Sequence, residues 1–233
     1  MAAISIIIPT YNEEEHVGAL VHHLWQFSQN QVAEIIVTDG GSQDNTLAAA
    51  EKAGARAVLS PRKGRAAQMN YGTTLATGNI YYFVHADSWP PATYVQDILE
   101  AIAAGYQLGC YRFKFRSDKL MLRLNSYCTR FDRIMCRGGD QSLFVLKTVF
   151  EELGSYKDNY VIMEEYDFII RARKKYSFKI IPKDVLVSAR KYDNNSYLRV
   201  NLANLTVFLM FYAGCSQLLM LNTYKRLINH PKL

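Results

Sequence analysis

Four short runs of β-branched and aromatic residues, at 4–8, 34–38, 56–59 and 80–84, alternate with stretches of helical character, and this alternation limits the available folds more than any other feature. The runs lack polar alternation, as expected for strands covered on both faces. Strand, helix and strand in steady succession imply right-handed crossovers and a mostly parallel sheet, so the expected class is α/β with a Rossmann-like sheet flanked by helices. Asn12 with Glu15 three residues later resembles a capping box that opens a helix through Phe27. A second helix starts at Asp44 or Asn45 and ends at Gly54, and a third covers 65–76 before Gly78. Further on, the pattern predicts a helix from Pro91 to about Ala104, a half-exposed strand at 108–115, and a basic helix over 119–136. A strand at 142–146, a short helix stopped by Gly154 and a helix opening near Met163 follow.

Polar residues collect just after successive runs: Thr10, Tyr11 and Glu13, then Asp39 and Ser42, then His85 and Asp87. A parallel sheet gathers those strand ends at one edge, where ligands of open α/β sheets bind. The Gly40-Gly41 pair lets backbone approach a ligand, and the next helix N-terminus favours an anion. Asp87 also suits the start of the helix behind Pro90 and Pro91. There is no GxGxxG fingerprint and no Walker A lysine motif, which removes support for a dinucleotide oxidoreductase. Glu164, Glu165 and Asp167 place three carboxylates at a helix start, where they complement the helix dipole. Like charges so close raise one another's pKa, which makes a general base among them a second reading.

A chain of 233 residues, 49% apolar, can bury one substantial domain with an appendage. Its formal charge of +6 favours anionic partners such as nucleotide diphosphates and phospholipid headgroups. Cys110, Cys128, Cys136 and Cys215 have no metal-ligand spacing, and the N-terminus lacks a signal-peptide layout, so the expected setting is the reducing cytoplasm. The span 197–221 is predicted as one long apolar helix, diluted by Asn201, Asn204, Thr206 and Gly214 below what a bilayer crossing requires. Core packing, a homodimer contact and the surface of an inner membrane remain open for it, with Tyr224, Lys225 and Arg226 suited to headgroups.

Seven segments in order, IIIPTYNEE, VTDGGSQDNT, PRKGRAAQMNYG, FVHADSWPP, GGDQSLFV, MEEYDFIIRARK and SARKY, resemble the family 2 glycosyltransferases of the glycosyltransferase A fold, in particular a small bacterial branch of arsenosugar-biosynthesis type. The resemblance implies a catalytic domain over 1–195, with a nucleotide-binding half at 1–115 and an acceptor half at 116–195, followed by a C-terminal helix and tail at 196–233. It implies a hexosyl transfer with inversion from a nucleotide-diphosphate sugar, UDP-linked, to a small-molecule or lipid-linked hydroxyl, with no nucleic acid involved. Pro9, Thr10, Tyr11, Glu13 and Asp39 then hold the nucleoside, while Arg65 and Asn70, with Lys63 as a weaker candidate, lie near the diphosphate or sugar. The Asp-x-Asp motif of the family stands here as His85-Ala86-Asp87, which leaves Asp87 to hold Mg or Mn. Glu165 takes the base position, Glu164 and Asp167 support it, and Gly139, Asp140 and Gln141 form the acceptor-side turn. The competing reading is a catalytically silent nucleotide-binding or membrane-associated scaffold of the same fold.

Overall fold

The computed structural model describes residues 3–228, so the end of the tail at 229–233 lies outside the described residues. The strand and helix repeat is present as β1 (Ile4–Thr10), α1 (Glu14–Gln26), β2 (Val32–Asp39), α2 (Thr46–Lys52), β3 (Arg56–Leu59), α3 (Arg65–Leu75) and β4 (Ile80–Phe83). It continues through β5 (Ser88–Trp89), α4 (Tyr94–Ala103), β6 (Leu108–Phe115), α5 (Leu120–Cys128), β7 (Leu143–Leu146), α6 (Lys147–Glu152), α7 (Glu164–Ala172) and β8 (Phe178–Val187). The chain then forms α8 (Tyr197–Tyr212) and α9 (Gln217–Leu227).

One sheet runs in the order β3-β2-β1-β4-β7-β6-β8-β5. Only β7 and β5 oppose the common direction. Strand pleating divides the buried side chains between two cores. Ile6, Ile8, Val37 and Tyr82 face one side with Val17 and Leu20 of α1 and Ile98 of α4. Ile7, Ile36, Tyr81 and Phe83 face the other with Met69 of α3, Phe150 of α6 and Phe168 of α7. Both faces of the central strands are covered, which is why those strands carry no polar alternation.

The structure corrects four readings. Asn12 does not cap α1: it has φ 52°, its N–H donates to Ser42 Oγ at 2.7 Å and its Oδ1 accepts the Gln43 N–H at 2.9 Å. These bonds between neighbouring loops replace the local capping box, and α1 starts at Glu14 without a side-chain cap. The basic helix stops at Cys128, where Thr129 turns its hydroxyl to the Ser126 carbonyl and accepts the Phe113 N–H, and one 3₁₀ turn, Ile134–Cys136, follows. The long C-terminal helix is two, α8 and α9, broken at Gly214, whose φ of +73° suits glycine. Finally, β8 has no counterpart in the sequence reading, because Pro182 interrupts its apolar pattern. The strand absorbs that proline in a bulge: Tyr111 pairs with Ile181 but Arg112 with Asp184.

Between β7 and β8 the sheet has no room for a side chain at Gly109, where a Cβ would sit 2.4 Å from the Lys179 carbonyl oxygen and 2.7 Å from the Phe144 ring. Gly109→Ala is expected to cost about 2 to 3 kcal/mol through overpacking. For a chain of this size the midpoint should fall by roughly 4 to 12 °C in a thermal melt followed by circular dichroism. An unchanged midpoint would show that β6 and β8 can part without loss.

Candidate active site

Three reversals or pairings of the chain assemble the site at the carboxyl ends of β1, β2 and β4. Because β7 runs against β4, with Phe83 opposite Leu143, the 3₁₀ turn Gly139–Gln141 that leads into β7 lies where β4 ends. Because β5 pairs with the end of β8, with Ser88 opposite Val187, the Arg190–Tyr192 turn lies beside Asp87, whose carbonyl accepts the Ser188 N–H. The third contribution is the start of α7, entered through Met163 in the left-handed region at φ 66°.

At the centre is His85, buried, with Nε2 3.1 Å from Glu165 Oε1 and Nδ1 3.6 Å from Asp140 Oδ1. Burial alone lowers the His85 pKa, but its contacts with Asp140 and Glu165 outweigh this and push it up to about 10, so the ring is an imidazolium at neutral pH. Burial also works against ionisation of Glu165 and Asp140. The imidazolium beside each more than offsets it and holds both below the usual carboxylate range, Arg65 adding to the effect on Glu165 and Lys191 to that on Asp140. Glu164 differs from its neighbour. Arg65 Nε lies 2.9 Å from its Oε1, yet neither carboxyl oxygen has an aligned donor, and burial pushes its pKa up to about 7 against the pull of Arg65. Two consecutive acids, about 100° apart around the helix, therefore meet different cations and hold protons with different tenacity.

The remaining predicted residues divide into two groups. Thr10 and Asp39 meet directly, Oγ1 to Oδ2 at 3.1 Å, and Asp39 also accepts the N–H groups of Gly41 and Ser42 and the Ser42 hydroxyl. With four internal donors and no exposed surface, Asp39 shapes the Gly40-Gly41 turn. Pro9 and Tyr11 flank Thr10, and Lys63 lies against Gly41. Glu13 and Asp87 come together through Arg190, whose Nη2 is 3.3 Å from Glu13 Oε1 and 3.6 Å from Asp87 Oδ2. A hollow of about 260 Å³ beside them is lined by His16, Asp87, Trp89, Arg116 and Arg190. Asp167 and Asn70 stand apart from this cluster. Asp167 pairs with Lys157 at 2.6 Å and Arg171 at 2.8 Å, and the Asn70 amide is bonded to Tyr156 and Asp158. Gln141 is buried with its Oε1 toward Cys110, while Ala86 is buried between His85 and Asp87.

Sequence reasoning missed Arg190, Lys191 and Gln68. SARKY was visible as a segment, but nothing local ties Arg190 to Glu13, 177 residues earlier. Gln68 is buried beneath the glycine turn, where its Nε2 donates to the carbonyls of Thr10 and Thr38 and so ties the ends of β1 and β2. A glutamine in an alanine-rich helix carries no signal for that position.

Comparison with known proteins places this geometry. Glucosyl-3-phosphoglycerate synthase of Mycolicibacterium smegmatis is 33% identical over 38% of this chain and 32% of its own length. The chain spans about a third of the length of that relative and of the dolichol-phosphate mannosyltransferase of Pyrococcus furiosus, to which it is 29% identical over 44% of its own residues. The crystal structure of glucosyl-3-phosphoglycerate synthase from Mycobacterium tuberculosis in complex with phosphoglyceric acid superposes with a TM-score of 0.65 over 92% of this chain and 81% of that one, at 18% identity, so the two share the glycosyltransferase A fold. The family model described as glycosyl transferase family 2 matches residues 5–157, well over half of the chain, and the protein therefore belongs to the family 2 glycosyltransferases.

Proposed function

We propose that the protein transfers a sugar, with inversion, from a UDP-sugar to the hydroxyl of a small-molecule or lipid-linked acceptor. What carries this reading is the pair of buried acids at the start of α7, one of them held ionised by His85, at the strand ends of a family 2 chain. In this reading residues 1–115 bind the nucleotide and 116–195 the acceptor. Pro9, Thr10, Tyr11 and Glu13 face the nucleoside, and Asp39 joins them by exchanging the Thr10 or Ser42 hydroxyl for a donor on the ligand. Glu165 accepts the proton of the acceptor hydroxyl while that oxygen bonds to the anomeric carbon and the bond to the diphosphate breaks on the opposite face. Arg65, Arg190 and Lys191 offset the charge of the departing diphosphate. The protein works in the cytoplasm, with α8 and α9 as its contact to a membrane surface or to a second copy.

A divalent cation suits this site only if the substrate brings most of the ligands. Among the described residues no three His, Cys, Asp or Glu side chains are grouped to hold a metal ion. Asp87 presents a partly exposed carboxylate, whereas the Asp140 carboxylate is turned to His85 and both His85 nitrogens face acids. Magnesium-type ions keep several waters and use one or two carboxylates together with substrate phosphates, so Asp87 fits such an ion. The M. tuberculosis synthase has been crystallised with UDP and with Mn2+ or Mg2+. Bound there, the ion would neutralise charge on the diphosphate.

One observation favours a second assignment of the base. Glu164 has no aligned donor and a pKa pushed up to about 7, which suits proton exchange at neutral pH better than the more acidic Glu165. Turnover of a UDP-sugar by Glu165→Gln should fall by about 100-fold or more, with UDP affinity little changed, whereas Glu164→Gln should retain turnover within roughly tenfold. The reverse order would move the base to Glu164, and wild-type turnover in both would leave only the silent scaffold.

Calorimetry addresses the cation separately. UDP should bind about tenfold more tightly with Mn2+ than in chelator, and Asp87→Asn should abolish that gain, a change of ~1.4 kcal/mol. Equal gain in the variant would remove Asp87 as the ligand. His85 supplies a pH test. Its folded pKa of about 10 exceeds the usual 6.5, so its contribution to stability is fully present below about 6.5 and is lost as pH rises through about 10. Denaturation of wild type and His85→Gln should show a stability gap that narrows from pH 7 to pH 10, and imidazole nitrogen shifts should report a protonated His85 at pH 7.5. A neutral ring at that pH would overturn the charge assignment.

A further inference from the structure

Among the described residues, sixteen large apolar side chains stand exposed, and thirteen of them fall in two stretches, 120–135 and 198–219. They are arranged, not scattered. On α8, Leu198, Leu202, Leu205, Leu209 and Tyr212 recur at helical spacing along the outer face, while Val200, Ala203 and Val207 fill the inner face. A helix apolar on both faces is ordinarily covered on both. On α5, Leu120, Leu124 and Tyr127 repeat the same spacing outward while Leu122 is buried. The two helices are neighbours, because Asn125 bonds to Asn201 and to the Tyr197 hydroxyl, and Leu122 and Val200 share one apolar cluster. α9 lies along α8 as a hairpin arm, fixed by Tyr224 to Asn204 and by Arg199 to the Leu227 carbonyl, and exposes Leu218 and Leu219.

Charge is distributed the same way. Seven exposed cations border this face: Lys119, Arg123, Arg130 and Arg133 beside α5, with Arg199, Lys225 and Arg226 on the hairpin. Residues 116–137 and 196–228 together hold nine Lys and Arg against two Asp, a surplus of seven in a chain whose formal total is six, so the rest of the molecule is close to neutral. Of those two acids, Asp132 is paired with Arg173. Arg130 lies over the Tyr127 ring at 4.8 Å, an amphipathic pairing suited to an interface between hydrocarbon and headgroups.

We propose that the face formed by α5, α8 and α9 docks onto the surface of a membrane that contains anionic lipid. Apolar side chains enter the headgroup boundary and the bordering cations meet lipid phosphates. Among the described residues no helix is long and apolar enough to cross a membrane, so the attachment is to the surface. A second copy fits less well, since a two-fold contact through this face would set seven cations against their own images. The hairpin also reaches the site: Gln217 accepts the N–H groups of Val161 and Ile162, and Ile162 and Met163 pack against Val207 and Met220, immediately before Glu164. Docking itself is independent of the transferase reading. Its bearing on a lipid-linked acceptor rests on that reading.

The test is co-sedimentation of the full chain with phosphatidylcholine vesicles with and without phosphatidylglycerol. At about 0.1 M salt, partitioning should be roughly tenfold or more stronger on the anionic vesicles and should weaken as salt is raised. The double variant Leu202→Glu, Leu205→Glu should lose roughly tenfold or more of that partitioning, and Arg123→Ala with Arg130→Ala several-fold, with the melting midpoint and UDP affinity of each unchanged. A variant that fails to fold would be replaced by Leu198→Gln with Leu209→Gln. Absence of wild-type partitioning on both vesicle types overturns the proposal. So does a dimer in sedimentation velocity that the leucine variants dissociate while wild type ignores lipid. In either of those outcomes, unchanged UDP binding would leave the transferase reading in place.

Discussion

Burying two adjacent carboxylates at a helix start is unfavourable unless cations come to meet them, and the architecture around α7 answers that requirement. Glu164 and Glu165 are both buried, and neither His85 nor Arg65 is a neighbour in sequence. One comes from the end of β4 and the other from the first turn of α3, so the acids can be accommodated only when the central sheet and the helical layer that holds α3 and α7 are in place. The same ring that compensates Glu165 also faces Asp140, which ties the turn before β7 to the arrangement. Removing the ring would strand the buried Glu165 and release the partly exposed Asp140 at once. That makes His85 a cation that organises acids instead of one more acid in the set.

The cluster gives the two glutamates unequal chemistry without unequal side chains. Glu165 is hydrogen-bonded to a cation and stays ionised, while Glu164, lacking an aligned donor, sits near its own titration midpoint at neutral pH. Environment, not residue type, sets the difference. Asp167, third in the run, is bound by Lys157 and Arg171, and Arg171 in turn donates to the Leu153 and Ser155 carbonyls of the loop that carries Lys157. Its charge stabilises the approach to the helix, as dipole complementation alone would suggest.

How much of this was legible in the sequence depends on the range of each interaction. Strands β1, β2 and β4 were plain because both sheet faces are covered there, and such burial writes itself into consecutive residues, whereas the edge strand β3 is half exposed. Gly40-Gly41 and the strand-end acids could be placed for the same reason. What escaped were features fixed by distant partners: a strand carried past Pro182 by a bulge against β6, a capping residue drawn off by the next loop, and Gln68 bonded beneath a turn 28 residues before it. Arg190 belongs with them. The outward leucines of α8 had the opposite problem, since a stripe apolar on two sides looks in sequence like one continuous buried helix.

The Arg190 link between Glu13 and Asp87 also governs when the site can exist. It closes a loop of 177 residues, nearly the whole central sheet, and the part of the chain that the family model covers ends at residue 157. Closure entropy grows only with the logarithm of loop length, so the equilibrium cost of that contact is modest. The effect on time is larger, because contacts of such sequence separation form after the local ones. During synthesis the strands β1 to β4 emerge first and can pair among themselves. The crevice they border stays unfinished until β8 and its following turn leave the ribosome, so the protein acquires its shape progressively and its site all at once.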